Sequence, residues 1–170
     1  EMNYTYYVIA QLETPIDDVY NLLVAAKEEK KITILNPAPA PDTIPDLVLS
    51  HIDFLTPNET ELAKVAGMPT ETIPEITAAA EALLQRGVGN VLVTVGSRGA
   101  LLCNRNGSHL YPAYPQKAVD TTAAGDTFNA AFAVALAEGW TMDEAIVFAN
   151  AAAGLSVTRK GAQTSIPYRS

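Results

Sequence analysis

The chain has a single cysteine, Cys103, in 170 residues. An intramolecular disulfide is therefore excluded, as is a metal site built on paired thiolates, and Cys103 reads as a small buried hydrophobe. Positive charge is scarce as well: 11 Lys and Arg stand against 19 Asp and Glu, for a formal net charge of −8. That balance argues against nucleic acid or an anionic membrane as partner, because both select basic patches. It leaves open a small anionic ligand whose charge is met locally. No apolar run has the length of a membrane span and no signal-peptide pattern is present, so a cytoplasmic protein is expected. There is no G-x-x-x-x-G-K-[ST] segment, which excludes a P-loop. Internal repeats, low-complexity tracts and linkers are also lacking, and one α/β domain over residues 1–170 is the simplest account. What is plentiful is apolar side chain, 48% of residues, enough for a sizeable core.

Short apolar runs alternate with helical patterns along the chain, which predicts βαβ units and a parallel sheet. Tyr7–Ala10, Ile32–Leu35, Ile52–Leu55 and Val91–Val95 read as buried strands, with Asp17–Lys30, Glu59–Ala66 and Glu71–Arg86 as the helices between them. Leu101–Cys103 and His109–Tyr111 read as a hairpin turning at Asn104-Arg105-Asn106-Gly107, residue types that favour tight turns. Thr141 with Glu144 spells a capping box for a final helix through Asn150 towards Val157. In open α/β sheets ligands gather beyond the carboxyl ends of the strands. The polar residues that follow these strands are Glu13, Asn36, Asn58 with Glu61, and Gly96–Gly99, and together they outline one sheet edge. Each also has a plainer reading as a turn former or helix cap, Asn36 before Pro37 above all.

The most informative stretch is Ala118–Asp126, AVDTTAAGD, running on into TFNAAFAVALAEG. Phe128, Ala131, Phe132, Ala135 and Leu136 recur at helical spacing, so a helix is predicted to begin within Ala-Ala-Gly-Asp and to bury that stripe. Its unpaired N–H groups then point towards whatever sits beside Asp126. A helix N-terminus suits phosphate oxygens, and the small residues Ala123, Ala124 and Gly125 let a ligand approach the backbone. An anion hole beside one carboxylate suits phosphoryl transfer. The plainer alternative is an Asp in a first helical turn that only stabilises the helix dipole.

Five segments in order, NPAPA, TPNETE, TVGSRG, VDTTAAGDTF and VTRKGAQ, resemble the motifs of the ribokinase-like carbohydrate kinases, the PfkB family. The fourth is similar to that family's DTxGAGD signature, with Ala123 and Ala124 where many members have Gly-Ala. The resemblance covers essentially the whole chain and implies an open, mostly parallel sheet flanked by helices. It also implies that this chain is the C-terminal, nucleotide-binding portion of such a kinase. The N-terminal part, with a sugar-binding Gly-Gly motif and most of the lid, is then expected ahead of Glu1, and a last helix beyond Ser170.

The same resemblance assigns roles. Asp126 is implied to be the catalytic base and a sugar contact, and the N–H groups around Ala123, Ala124 and Gly125 the anion hole. Asn58, the loop Thr94, Val95, Gly96, Ser97, Arg98 and Gly99, Gly125, and Asn150 are implied to hold ATP. Glu13 is implied to bind sugar hydroxyls. Asn58 and Glu61 match an N-x-x-E motif linked to Mg²⁺ and phosphate, with Glu61 acting through water, as suits a hard cation that keeps most of its hydration shell. Asp120, Thr122, Ser156, Arg159, Gly161 and Ser165 match positions around a K⁺ ion. Arg159, Lys160 and Gly161 also read as an ordinary helix exit. The implied reaction is transfer of the γ-phosphoryl group of Mg·ATP to the 5-hydroxyl of D-ribose, by an enzyme whose full-length form is a homodimer. Other sugar or nucleoside kinases of the family, or a nucleotide-binding fragment without catalysis, remain as alternatives.

Overall fold

The computed structural model describes residues 6–113 and 121–158, the side chains of 121–124 and 155–158 excepted. The chain divides into two compact units, Glu1–Val93 with Leu101–His109, and Thr94–Ala100 with Leu110–Ser170.

The first unit is built on a sheet. Strands β1 (Tyr7–Gln11), β2 (Ile32–Asn36), β3 (Phe54–Leu55) and β4 (Asn90–Thr94) pair in parallel, with Gln11 opposite Asn36 and Phe54 opposite both Ile34 and Asn90. Strands β5 (Ala100–Asn104) and β6 (Gly107–Tyr111) complete six strands in chain order. The links into β5 and β6 are too short for a crossover, so both run antiparallel to their neighbours. The expected open, mostly parallel sheet is thus present. Between the parallel strands lie α1 (Ile16–Glu28), α2 (Asp46–Leu49), α3 (Glu59–Ala66) and α4 (Ile73–Gln85). Four of the five β2 residues and the middle of β4 are buried without alternation, the pattern of strands covered on both faces. Leu23 of α1, Leu35 of β2, Leu55 of β3, Leu62 of α3, Leu83 of α4 and Leu92 of β4 are fully buried, each adding about 1.5–3 kcal/mol.

Element ends follow local chemistry. The α4 helix starts at Ile73 rather than Glu71 because Thr72 and Glu75 form a capping box, Thr72 Oγ1 accepting the Glu75 N–H at 3.2 Å and Glu75 Oε1 accepting the Thr72 N–H at 3.2 Å. Strand β3 is two residues, shorter than the predicted Ile52–Leu55. Asp53 is the reason. Its carboxylate accepts the Thr33 N–H at 2.9 Å and the Lys27 ammonium at 2.7 Å, so a side chain takes the ladder position that a longer strand would fill. The short helix α2 is absent from the sequence reading, since four residues carry no periodicity.

The second unit consists mainly of two helices packed along each other, α5 (Thr121–Ala137) and α6 (Met142–Thr158). Phe128 and Phe132, whose rings stack 6.4 Å apart, are buried on α5, and Ala145, Ile146, Ala149 and Ala152 on α6. The predicted capping box starts α6, with Glu144 N–H to Thr141 Oγ1 at 3.1 Å and Thr141 N–H to Glu144 Oε1 at 3.0 Å. Helix α5 corrects the sequence reading: it already includes Thr121, five residues before Asp126. Ala123 and Ala124 are strong helix formers and one glycine costs only about 1 kcal/mol, so the helix continues through Gly125 instead of starting there.

Candidate functional site

Four parallel strands put their carboxyl ends at one edge of the first unit, and the polar residues read from the sequence follow those ends. Glu13 lies exposed just beyond β1. Asn36 closes β2, and Asn58 and Glu61 follow β3 as the cap and first turn of α3. The exits are tied together: Leu12 N–H donates to Ala38 O at 3.0 Å, and Thr56 N–H to Leu35 O at 2.9 Å. Asn58 and Glu61 form a reciprocal capping box, Glu61 N–H to Asn58 Oδ1 at 2.8 Å and Asn58 N–H to Glu61 Oε1 at 2.9 Å. The N-x-x-E motif therefore has a structural task, fixing the start of α3 and holding the Glu61 carboxylate at a helix N-terminus.

Asn36 is the residue that the plain reading undervalued. It is 7% exposed, and its Oδ1 is buried with no hydrogen-bond partner among the described residues. A buried acceptor without a donor costs about 1–3 kcal/mol, which a turn former has no reason to carry. With Glu13 and Glu61 on neighbouring exits, this edge offers oxygen acceptors for a ligand that brings donors, such as a hydroxyl or a metal-bound water. Among the described residues no group of three or more His, Cys, Asp or Glu gathers to cage a metal.

In the second unit, the segment after β4 closes on itself. Val95 N–H donates to Gly99 O at 2.9 Å, Arg98 N–H to Val95 O at 3.1 Å, and Gly99 N–H to Gly96 O at 3.1 Å. Gly96 and Ser97 are exposed, Thr94 and Arg98 half-buried, and Val95 and Gly99 buried. Gly99 adopts φ 110°, and a Cβ there would lie 1.9 Å from Tyr111 O. Asn150, buried on α6, holds the same stretch, its Nδ2 donating to Tyr111 O at 3.2 Å and Pro112 O at 3.4 Å. Its amide thus shapes the chain beside the Gly96–Gly99 turn.

Gly125 and Asp126 stand in the second turn of α5, Asp126 exposed and Gly125 half-buried. A Cβ on Gly125 would meet nothing within 4 Å among the described residues, so their packing does not demand glycine there. Asn129, one turn after Gly125, has a buried Oδ1 with no partner among the described residues, and an Asn inside a helix was the only sequence signal for it. Of the residues matched to a K⁺ site, Asp120, Arg159, Gly161 and Ser165 lie outside the described residues. The side chains of Thr122 and Ser156, and of Ala123 and Ala124, do so as well.

One tyrosine gives this unit a measurable pH dependence. Tyr111 OH donates to Asp143 Oδ1 at 2.8 Å. Burial, then this hydrogen bond and the Asp143 charge, push the phenol from its ordinary 10.0 up to about 12. Folding thus favours the protonated phenol. That stabilisation is complete below pH 10 and is lost as pH rises towards 12. Chemical denaturation between these limits should show wild-type stability falling more steeply than that of Tyr111→Phe. Parallel curves would remove the Tyr111–Asp143 bond from the account.

The comparisons with known proteins bear on both units. The chain matches the pfkB family carbohydrate kinase profile over residues 3–169. It is 42% identical to ribokinase of Haemophilus influenzae over 95% of this chain and 53% of that protein. It is 38% identical to deoxyribokinase of Salmonella typhi over 94% of this chain and 52% of that one. Its structure is similar to that of Arabidopsis thaliana ribokinase complexed with ribose and ATP, with a TM-score of 0.87 and 42% identity, over 95% of this chain and 52% of that chain. The chain belongs to the pfkB family of carbohydrate kinases, and it spans about half the length of these relatives.

Proposed function

We propose that this chain forms the nucleotide-binding and catalytic portion of a kinase that transfers the γ-phosphoryl group of Mg·ATP to the 5-hydroxyl of D-ribose. The observation that carries this reading is the 42% identity, with a TM-score of 0.87, to a ribokinase complexed with ribose and ATP.

The chemistry asked of these residues is positioning and charge stabilisation. Asp126 accepts the proton of the sugar hydroxyl as its oxygen bonds to the γ-phosphorus; the bond to the bridging oxygen breaks, and ADP leaves. N–H groups at the start of α5, in the Ala123–Gly125 region, stabilise charge on the transferring group. The turn Thr94, Val95, Gly96, Ser97, Arg98 and Gly99, with Asn58, receives the nucleotide, and Asn150 sets the backbone beside that turn. Glu13 binds sugar hydroxyls.

Mg²⁺ bound with the nucleotide neutralises phosphate charge. The donor set fits a hydrated ion: Glu61 and the unpartnered Oδ1 of Asn36 are hard oxygen acceptors, and a metal carried by ATP needs only one or two protein carboxylates. Glu61 would therefore act through water. A K⁺ ion at Asp120, Thr122, Ser156, Arg159, Gly161 and Ser165 is carried by the family resemblance alone, and backbone oxygens of these residues would supply most of its ligands. A cytoplasmic location and a homodimeric full-length enzyme rest on the same resemblance. Among the described residues no helix is long and apolar enough to cross a membrane.

A second reading has its own support in the 38% identity to a deoxyribokinase, whose name differs only at the sugar. The test is ATP-dependent phosphorylation of D-ribose and 2-deoxy-D-ribose, with Mg²⁺ and with or without K⁺. Faster turnover of D-ribose is expected; preference for the deoxy sugar would reassign the substrate. A folded chain that binds Mg·ATP and phosphorylates neither sugar would be a nucleotide-binding portion that needs the rest of a longer kinase.

A further inference from the structure

Tyr111 closes β6 and is held twice on one face of α6. Its OH donates to Asp143 Oδ1 at 2.8 Å, and its backbone O accepts the Asn150 Nδ2 at 3.2 Å. Asp143 and Asn150 are seven residues apart in sequence, two helical turns or about 10 Å along the helix. One bond would leave a pivot; two at that separation fix the direction of the chain as well as its place. Tyr111 is 9% exposed and Asn150 8%, so the backbone bond is shielded from water, while Asp143 anchors the phenol at the surface. Gly99 meets the same carbonyl: a Cβ there would lie 1.9 Å from Tyr111 O and 2.9 Å from Pro112 C. The backbone of Tyr111 and Pro112 thus packs against the Gly99 end of the Thr94–Gly99 turn and is itself tied to α6.

We propose that the Tyr111–Asp143 hydrogen bond seats the Thr94–Gly99 turn for nucleotide, which makes Tyr111 and Asp143 positioning residues for Mg·ATP. This rests on the nucleotide role proposed above for that turn. A turn that offers its backbone to a ligand has to hold its place before the ligand arrives. Any fraction of time spent elsewhere lowers the apparent affinity by that fraction. The bonds that close the turn, from Val95 N–H to Gly99 O and from Gly99 N–H to Gly96 O, fix its internal shape. They do not fix where the turn sits. Its seat is the Tyr111 carbonyl, because Gly99 has no side chain to interlock with neighbours and lies directly against that oxygen. Asn150 holds the carbonyl at one point, and Asp143 supplies the second through the phenol. Removing the phenol's bond frees the stretch to turn about the Asn150 amide, and the seat of Gly99 turns with it.

Mg·ATP titration of wild type, Tyr111→Phe, Asp143→Ala and Asp143→Asn tests it, each well below its melting temperature. Tyr111→Phe keeps the buried ring and loses only the hydroxyl. The two Asp143 variants both remove a charge from the first turn of α6, and only Asn leaves an oxygen to accept the phenol's hydrogen bond. Tyr111→Phe and Asp143→Ala are expected to raise the Kd about fivefold, and Asp143→Asn to stay within about twofold of wild type. The Tyr111→Phe/Asp143→Ala double variant should bind no more weakly than either single one, because all three lack the same bond. A bond that serves only the fold would lower the melting temperature of these variants and leave the Kd unchanged, which overturns the proposal. An Asp143→Asn chain as weak as Asp143→Ala overturns it too, since charge and not the bond would then matter. Should Asp143→Ala fail to fold, Tyr111→Phe decides alone. Wild type that does not bind Mg·ATP removes the nucleotide role of the turn and the proposal with it. Wild type that binds, with Tyr111→Phe binding equally well, overturns the proposal alone.

Discussion

Asp126→Asn is expected to cut ATP-dependent sugar phosphorylation by about 10²–10⁴ while leaving the fold and nucleotide binding in place. Asp126 is exposed on the second turn of α5 and the described residues show no ion pair to it, so its replacement by an isosteric amide disturbs little of the chain's own structure. Surface changes of that kind shift stability by no more than about 0.5 kcal/mol. What the amide loses is the ability to accept a proton from the attacking hydroxyl. The measurement is turnover with D-ribose in whichever length of this protein phosphorylates sugar, paired with Mg·ATP titration and a melting curve. Near-normal turnover would remove Asp126 from the role of base. Loss of turnover with an equal loss of nucleotide binding would make it a binding residue instead.

How much of this was legible beforehand differs by the kind of signal. Side chains that bond to their own neighbourhood announce themselves: the Thr141–Glu144 box was read as a helix start and forms one, and Asn58–Glu61 is spaced for the same geometry. Strand identity was legible from apolar runs, whereas strand length was not. Asp53 shortens β3 through bonds to Lys27 and Thr33, partners 26 and 20 residues away that no local window contains. Cys103 was read as buried, is 1% exposed, and burial with the Glu81 charge pushes its thiol up to about 11.

The sequence places the start of α5 too late because glycine and the apolar stripe outweigh the helix-forming Ala123 and Ala124 that precede them. That shift places Asp126 within the described helix rather than at its mouth. Asn36 illustrates a different limit. Its type and place before proline are ordinary, and only burial of an unpartnered Oδ1 separates a ligand-facing acceptor from a turn former. Sequence gives the residue and its strand end; the missing donor is visible only once neighbours are in place.

Two glycines in the second unit should respond to the same substitution in opposite ways, which separates packing from ligand approach. Gly99→Ala is expected to destabilise the chain severely, by about 4 kcal/mol or more. Its φ of 110° is strained for any L side chain, and the new Cβ would come within 1.9 Å of Tyr111 O and 2.7 Å of Ala113 N. Both atoms are backbone, and the Asn150 amide holds Tyr111 O at 3.2 Å, so relieving that clash costs a hydrogen bond. Gly125→Ala, in contrast, places its Cβ in open space on a helix and should raise stability by about 0.5–1 kcal/mol through helix propensity. If small size at Gly125 serves a phosphate-bearing ligand, this better-folded variant should bind Mg·ATP at least tenfold more weakly. Melting temperature and nucleotide titration on the two variants decide the matter together. A stable Gly99→Ala chain would contradict the packing of the Thr94–Gly99 turn. A Gly125→Ala chain with unchanged nucleotide affinity would leave that glycine without a ligand to make room for, and would move the anion-binding N–H groups entirely to the first turn of α5.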